Sequence, residues 1–399
     1  MADYYQKSID LHTKLKGKIE ITNKTKLTSK EDLSILYSPG VAQPCIEIKN
    51  NPEKVYDYTI KGNCVAIVSD GSAVLGLGNI GAQAAIPVME GKAMLFKQFA
   101  GIDAFPICLD TQDSAEIIET VKRIAPVFGG INLEDISAPR CFEIESALQE
   151  IGIPVFHDDQ HGTAIVTLAG LINSCKVLGK KIHELKIVVN GAGSAGVAIS
   201  KLISCISLNP DACTSVKELI ICDSKGVIHN KRNDLNKTKK ELLNYSNKNN
   251  IQGTLQDALK NADVFIGVSK GNILTQADIR IMAKNPVIFA LANPEPEIMP
   301  EEAIKGGAAI VATGRSDFKN QVNNVLVFPG IFRGALDSRS PKITSEMKLA
   351  AAYTLAECVE NPTKEKIIPS SFDPHIADRV SESVANAQSI IAKHRGNGM

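Results

Sequence analysis

The sequence predicts an α/β protein of two domains, the second of Rossmann type, and three observations support this class. Apolar runs of strand length alternate with segments of helical periodicity along most of the chain. A glycine-rich turn at residues 191–196 lies between a predicted strand and a predicted helix. The chain has 399 residues, 44% of them hydrophobic, which is enough to build two separate cores.

The first forty residues predict two helices with a short strand between them. Apolar side chains over residues 3–16 have a loosely helical spacing, and residues 18–22 have the pattern of a strand. Ser29 followed by Asp32 is typical of a capping box that opens the second helix. That helix ends near YSPG, which places Tyr37 at a boundary between helix and loop.

The following segments alternate between predicted strands and helices up to about residue 330. A long apolar helix over residues 162–179 separates two such series, and we place the domain boundary near residue 160. The elements of the first series are strands over 64–70 and 104–110, helices over 85–99 (interrupted near Gly91) and 115–126, and a helix end with a short strand over 147–159.

Two glycine fingerprints of the form G-x-G-x-x-G occur, at residues 76–81 and 191–196. A turn separates the first from its strand and Pro87 falls early in the next helix, so a packed or flexible loop is its better interpretation. The second follows the predicted strand LKIVVN directly and runs into a helix, where glycine lets the backbone approach a pyrophosphate. The predicted cofactor contacts there are Gly191, Gly193, Ser194, Ala195 and Gly196.

The next predicted strand, ELIICD, ends at Asp223, whose carboxylate can accept hydrogen bonds from ribose hydroxyls. This residue favours NAD because it repels the 2′-phosphate of NADP, but Lys225 is close enough in sequence to offset the repulsion. The choice between NAD and NADP therefore stays open. We expect an N-terminal α/β substrate domain over residues 1–160 and a Rossmann-type dinucleotide-binding domain over residues 161–399.

Acidic residues follow two apolar runs just before the second fingerprint. They are the pair Glu134 and Asp135 and the pair Asp158 and Asp159. Buried carboxylates require a compensating cation or hydrogen bonds, and hard divalent ions such as Mg²⁺ or Mn²⁺ prefer oxygen ligands. The sequence thus predicts a metal beside the dinucleotide; favourable charge at a helix N-terminus is the alternative interpretation of the first pair.

Eight segments, taken in order, resemble the short form of the malic enzymes and cover the chain from about residue 7 to 390. They are LSILYSPGVAQPCIEI, DGSAVLGLGNIG, VMEGKAMLFKQFAGIDAFPI, NLEDISAPRCFEIE, FHDDQHGTA, VVNGAGSAG, ALANPEPEI and NNVLVFPGIFRGALD. The resemblance implies oxidative decarboxylation of L-malate to pyruvate and carbon dioxide, with a divalent cation and reduction of NAD⁺ or NADP⁺.

The resemblance also implies roles for individual residues. Tyr37 is similar to the general acid of the family, Lys92 to the general base, and Asp158 to the partner of that lysine. Burial and a nearby cation would lower the pKa of Lys92 from its ordinary value of about 10.4, whereas Asp158 acts in the opposite direction. The matched metal ligands are Glu134, Asp135 and Asp159; Asn293 and Asn323 match substrate contacts, and Asn293 also a cofactor contact.

The chain departs from the family pattern at one position. Longer members place an arginine that grips the malate carboxylate where this sequence has Ala73, and the sequence does not identify a replacement. The chain also ends before the acyltransferase-like extension of some bacterial relatives, which is expected of the short form.

The composition of the chain limits the kinds of binding partner and the cellular compartment that we expect. The 44 basic and 44 acidic residues cancel, which argues against nucleic acid, and no apolar run is long enough for a membrane span. Nine scattered cysteines without a C-x-x-C pair, together with a polar start, favour reduced thiols in a cytoplasmic protein. We expect a small-molecule substrate and, from the family resemblance, a homodimer or higher homo-oligomer.

Three rival functions are weaker. A metal-dependent oxaloacetate decarboxylase would use the same carboxylates without redox chemistry, and a nucleotide-sensing scaffold would bind the cofactor without turnover. A zinc hydrolase is disfavoured, because His157 and His161 are four residues apart but lack the glutamate of H-E-x-x-H.

Overall fold

The computed structural model describes residues 2–74, 76–208 and 213–395. The strands form two sheets, one from each half of the chain. Their bounds are β1 (Cys64–Ser69), β2 (Asp103–Cys108), β3 (Gly130–Leu133), β4 (Val155–His157), β5 (Lys186–Asn190), β6 (Glu218–Asp223), β7 (Gly226–Val227), β8 (Val264–Gly267), β9 (Val287–Ala290) and β10 (Ile310–Thr313).

The helices surround both sheets and also form the N-terminal end of the chain. Their bounds are α1 (Ala2–Leu15), α2 (Lys30–Leu36), α3 (Ala42–Asn50), α4 (Val55–Tyr58), α5 (Gly81–Ala100), α6 (Ser114–Ile124), α7 (Arg140–Leu148), α8 (Asp158–Leu178), α9 (Ser194–Ile203), α10 (Lys237–Leu242), α11 (Leu255–Leu259), α12 (Gln276–Arg280), α13 (Pro300–Gly306), α14 (Phe328–Asp337), α15 (Ser345–Glu357), α16 (Ile376–Ala385) and α17 (Ala387–Arg395).

Both sheets have the order of a parallel α/β fold, so the predicted class is confirmed. The first sheet runs β2-β1-β3-β4 and the second runs β10-β9-β8-β5-β6-β7, with only β6 and β7 antiparallel. In the second sheet the order reverses at β5, which pairs with β6 on one side and β8 on the other. Ligands of open parallel sheets bind outside the carboxyl ends of the strands at such a reversal.

Helix α8 connects the two sheets. It begins at Asp158, directly after β4 of the first sheet, and its side chains are almost continuously buried from Ala164 to Cys175. The helix packs against α9 and α15 of the second half, which explains why its sequence is apolar on every face rather than amphipathic. One helix therefore begins with the acidic residues that follow the first sheet and continues into the core of the second half.

Two sequence predictions about elements are wrong. Residues 18–22 form no strand, since no neighbouring strand is available for pairing there. Helix α5 continues through Gly91 without interruption, because a helix tolerates one glycine at a cost of about 1 kcal/mol. The Ser29 and Asp32 capping box is present, and Tyr37 follows α2 as expected. The domain division at residue 160 stays a prediction.

The N-terminal segment, residues 4–60, is called the arm below. No residue of the arm is buried, although it carries most of the exposed large apolar side chains of the protein, including Ile21 at 83% exposure and Tyr37 at 68%. Its contact with the rest of the chain includes Lys18, whose backbone N–H donates to Glu90 Oε2 at 3.0 Å. An apolar surface of this size is characteristic of an interaction site.

The expectation that all thiols are reduced is wrong for one pair. Cys205 and Cys213 form a disulfide, and the other seven cysteines are free. Among the described residues, no helix combines the length and hydropathy that crossing a bilayer requires.

Candidate active site

A large cavity at the carboxyl ends of the strands lies between the two halves of the chain. It has a volume of about 740 Å³ and is lined by both halves: Lys92, Glu134, Asp135 and Asp159 come from the first sheet side, and Ser194 belongs to the glycine-rich turn. Predicted metal ligands and part of the predicted cofactor site therefore face one cavity. We call this cavity the catalytic pocket.

The three predicted metal ligands converge in this pocket. Glu134, Asp135 and Asp159 each offer one oxygen, and these oxygens lie within 4.8 Å of one another. The convergence follows from strand order, because β3 precedes Glu134 and the adjacent parallel strand β4 leads into Asp159. Asp135 has a left-handed backbone (φ 55°), and its N–H donates to Asp159 Oδ2 at 2.9 Å. The backbone thus links the two acidic segments.

Lys92 lies on α5 between two carboxylates. Its Nζ is 2.5 Å from Asp158 Oδ2 and 2.8 Å from Glu134 Oε1, and it is 4.2 Å from the centroid of the Phe328 ring. Burial alone would lower the pKa of Lys92, but Asp158 and Glu134 outweigh burial and raise it. In this state the residue is an ammonium ion, so it can act as a base only after its attraction to the carboxylates is reduced.

The carboxylates carry more negative charge than the lysine compensates. Burial raises the pKa of Glu134 well above its ordinary value, and repulsion from Asp159, Asp158 and Asp135 adds to this effect against the attraction of Lys92. An oxygen donor set with excess negative charge is suited to a hard divalent cation. The residues therefore fit the predicted metal.

The glycine-rich turn after β5 has the geometry of a pyrophosphate site. Gly191 has a positive φ of 123°, and a methyl group on Gly196 would lie 1.7 Å from the Gly191 carbonyl oxygen, so both positions require glycine. A methyl group on Gly193 would meet no atom within 4 Å, which leaves open space at the N-terminus of α9. Ser194 and Ala195 line the catalytic pocket from this turn.

The first glycine fingerprint is closely packed at Gly76, and Gly76 and Gly78 also line the catalytic pocket. A methyl group on Gly76 would lie 2.4 Å from the carbonyl oxygen of Asn293, so this loop contacts the second half of the chain closely. Asn293 and Asn323 both line the catalytic pocket, and the Asn323 side chain also accepts a hydrogen bond from Val325 N–H.

Two family models cover most of the chain. Residues 16–116 match the malic enzyme N-terminal domain, and residues 160–392 match the malic enzyme NAD binding domain. The chain belongs to the malic enzyme family. The resemblance recognised in the sequence motifs is thereby confirmed.

Relatives that match along almost the whole chain use either nicotinamide cofactor, according to their names. A Bacillus subtilis protein named bifunctional malic/malolactic enzyme is 54% identical over 96% of this chain and 92% of its own. An NADP-dependent malic enzyme of Halomonas elongata is 47% identical, covering 96% and 93% of the two chains. The crystal structure of the NAD-dependent malic enzyme of Thermotoga maritima is 50% identical, with a TM-score of 0.89 over 94% and 98%.

Tyr37, which resembles the general acid of the malic enzymes, lies outside the catalytic pocket. Tyr37 is absent from the lining of the catalytic pocket, and it belongs to the exposed arm. The other predicted catalytic residues, Lys92 and Asp158, contact each other at the pocket. The described part of one chain therefore brings Lys92 and Asp158 next to the three clustered carboxylates, while Tyr37 lies apart from them.

Asp223 lies beside the glycine-rich turn, as a malic enzyme cofactor contact would, but its carboxylate is fully engaged. Oδ1 accepts from Lys225 N–H and Arg232 Nη1, and Oδ2 accepts from Arg232 Nη2 and Lys239 Nζ. These four bonds fill the acceptor positions of the carboxylate. Burial alone would raise the pKa of Asp223, but Arg232 and Lys239 outweigh burial and lower it, so the group is ionised and neutralised.

Several residues that shape this malic enzyme site were not found by sequence analysis. Asn132 donates to Glu134 Oε2 at 2.8 Å, and Asn324 donates to Asp158 Oδ2 at 3.1 Å. A methyl group on Gly162 would lie 2.0 Å from Asp158 Oδ1, which explains the glycine of HDDQHG. Lys270 also lines the catalytic pocket, so Lys92 is not its one cationic lining residue among the described residues. Proximity to matched motifs was the available signal for Asn132, Asn324 and Gly162.

Proposed function

We propose that this protein catalyses the metal-dependent oxidative decarboxylation of L-malate to pyruvate and carbon dioxide with reduction of NAD⁺ or NADP⁺. The observation that carries the proposal is the convergence of Glu134, Asp135 and Asp159 beside Lys92, in a cavity that also reaches Ser194 of the glycine-rich turn. Membership of the malic enzyme family supports the same reaction.

The three carboxylates would hold Mg²⁺ or Mn²⁺. A divalent cation bound there supplies Lewis-acid polarisation of the C2 oxygen of the substrate and stabilises the enolate that decarboxylation leaves. Asn132 orients Glu134, and the Asp135 N–H orients Asp159, so the oxygen donors are held before the ion binds.

Lys92 is proposed to accept the proton of the 2-hydroxyl group as hydride leaves C2. The amine must first lose its own proton, and coordination of Glu134 would remove one of the two attractions that now raise its pKa. Asp158 keeps its contact with Lys92 Nζ and orients the amine, while Asn324 holds Asp158.

The dinucleotide is proposed to bind with its pyrophosphate at Gly191, Gly193 and Gly196. The occupied Asp223 carboxylate weakens the case for NAD alone. Asp223 and Asp234 are accompanied by three cations, Arg232, Lys239 and Lys225, so the ribose end of the site is net positive. We therefore expect NADP⁺ to be accepted as well as NAD⁺.

The malic enzyme is proposed to act as a homodimer, because the described residues that line the catalytic pocket of one chain do not include Tyr37, the proposed proton donor for C3 of the enolpyruvate. The exposed apolar arm that carries Tyr37 is the surface suited to a second copy. In such a dimer the partner subunit's Tyr37 would enter the catalytic pocket. Location in the cytoplasm remains an expectation from the sequence.

A paired-cofactor assay tests the proposal. Protein, L-malate and Mn²⁺ are incubated with NAD⁺ or NADP⁺, and the absorbance of the reduced cofactor is followed together with pyruvate and lactate. Reduced cofactor with equimolar pyruvate is expected. Lactate without net cofactor reduction would indicate a malolactic reaction instead, and oxaloacetate decarboxylation insensitive to nicotinamide would favour the lyase. Absence of a signal with both cofactors would reject the proposal.

A further inference from the structure

A second cavity lies on the other side of the acidic segment. It has a volume of about 280 Å³ between α7, α8, α9 and α15 and shares no lining residue with the catalytic pocket. Its polar lining includes Lys201, Lys348, Ser146, Ser207 and Ser345. We call it the lysine pocket.

Positive charge in the lysine pocket is not neutralised by ion pairs. Neither Lys201 nor Lys348 has a carboxylate within salt-bridge distance among residues 2–74, 76–208 and 213–395. Burial lowers the pKa of Lys348, and the charge of Lys201 lowers it further, against an opposing effect of Glu145. Ser345 lies in the first turn of α15, where backbone N–H groups point toward the N-terminal end of the helix and carry partial positive charge.

Glu145 is the acidic residue in the lining, and its oxygens are already used. Oε1 accepts from His157 N–H at 3.3 Å and is 2.7 Å from His161 Nε2, while Oε2 accepts from Gln160 Nε2 at 3.1 Å. These bonds hold Glu145 against the start of α8 rather than against the lysines. The space in front of Lys348 and Lys201 is therefore suited to an anion supplied from solution.

We propose that the lysine pocket binds a small dianion of the carboxylate or phosphate type, held by Lys348, Lys201 and the serine hydroxyls. The volume is just below that of pockets for drug-sized ligands, so an anion of a few heavy atoms fits and a dinucleotide does not. Glu145 forms one wall of this pocket and holds the residues on both sides of Asp158 and Asp159. A single side chain, Glu145, thus separates an anion bound in the lysine pocket from the segment that carries the proposed metal ligand Asp159.

Calorimetry of the metal-free full chain tests the proposal without relying on malate turnover. Inorganic phosphate and succinate are titrated separately at low ionic strength. Without a cation, the catalytic pocket is lined by four carboxylates (Glu134, Asp135, Asp159, Glu295) against two amines (Lys92, Lys270), so it disfavours dianions. Saturable binding of at least one anion with a Kd of about 1 mM or tighter is expected, and the stronger binder identifies the class.

Variants locate the binding. Lys348→Met should weaken it about tenfold or more, Lys201→Met should weaken it as well, and Lys348→Arg should retain it. Lys176→Met is the matched control on exposed α8 surface and should leave the Kd unchanged. Lys201 is exposed, so Lys201→Met carries the test if Lys348→Met does not fold. Absence of saturable binding of both anions, or equal binding by wild type and both methionine variants, would overturn the proposal.

Discussion

At the scale of single residues, the second and third glycines of the fingerprint, Gly193 and Gly196, have different reasons to be glycine. Gly196 packs on the Gly191 carbonyl group, whereas Gly193 faces open space where a pyrophosphate would lie. The first is a requirement of the fold and the second a requirement of binding. Both positions are glycine in the sequence motif, so the motif alone does not distinguish the two requirements.

Substitution at these positions should therefore separate stability from cofactor binding. Gly193→Val should fold with an unchanged melting temperature and lose at least about 100-fold in affinity for NAD⁺ or NADP⁺, because the side chain fills the pyrophosphate space. Gly196→Ala should lower the melting temperature through its clash with Gly191. Calorimetric binding and thermal unfolding are the measurements; normal cofactor affinity in Gly193→Val would contradict the assignment.

Lys239 offers a second test at the same scale, since it neutralises Asp223 at 2.6 Å. Lys239→Ala should lower kcat/KM for NADP⁺ about tenfold while changing the value for NAD⁺ much less, because a 2′-phosphate loses a charge-assisted contact. Lys240→Ala, the exposed neighbour on α10, is the control. Equal losses with both cofactors would show that Lys239 only supports the local structure.

The site residues found from sequence are those in contiguous motifs. Lys92, Glu134, Asp135 and Asp159 could be selected because each lies in a short matching segment. The contact of Asn324 with Asp158 crosses 166 positions of the chain, so spacing carries no information about it. Asp223 was identified, but its engagement by Arg232 depends on a loop conformation that periodicity does not describe.

At the scale of elements, α7 supports the first turn of α8 through Glu145. Burial alone would raise the pKa of Glu145, but His161 and Lys348 outweigh burial and keep it at about 2. The carboxylate is therefore ionised at neutral pH and accepts strong hydrogen bonds from the segment that carries Asp159.

Loss of the hydrogen bonds that Glu145 accepts should lower the affinity of the carboxylate cluster for a metal ion. Glu145→Gln should lower the affinity for Mn²⁺ about 10–100-fold, as is usual when a residue that orients a ligand segment is changed. Glu143→Gln, on the exposed face of the same helix, should leave the affinity unchanged. Mn²⁺ titration followed by electron paramagnetic resonance provides the values, and identical affinities for both variants would exclude the supporting role.

Element prediction succeeded where burial dictates the pattern. The strands β1, β5 and β6 and the helix α8 were located within a few residues, because an uninterrupted apolar run in an α/β chain is typical of an element that is buried on all sides. Strand β2 was also located, although it lies at the edge of its sheet and is only half-buried. The strand predicted at residues 18–22 failed because alternation on an exposed arm does not imply a pairing partner.

At the scale of the whole molecule, the exposed arm and the catalytic pocket of one chain lie apart. The pocket holds Lys92 and the three carboxylates, while Tyr37 is exposed on the arm. This division was not predictable from motif order, since Tyr37 and Lys92 are equally well matched in sequence. The proposed second copy of the chain would cover the apolar arm and would supply Tyr37, the proposed proton donor.

Subunit complementation tests that account. Tyr37→Phe and Lys92→Ala should each lose about 10²–10⁴-fold in rate. Coexpression of the two should restore about a quarter of wild-type activity, because random pairing gives half heterodimers with one intact site each. Coexpression of Tyr37→Phe with itself under a second tag is the control. If the mixed protein stays as inactive as its parents, Tyr37 acts within its own chain.

Helix α8 has a further consequence for motion. Its 21 residues span about 31 Å, with Asp158 and Asp159 in the first turn and α9, which starts at the glycine-rich turn, packed along its side. If one half rotated against the other, α8 would move as one rigid helix, and Asp158 and Asp159 would be displaced together. Because α8 is buried along most of its length, its backbone amides should be among the slowest to exchange with deuterium. The amides of the exposed arm should exchange freely in the isolated subunit.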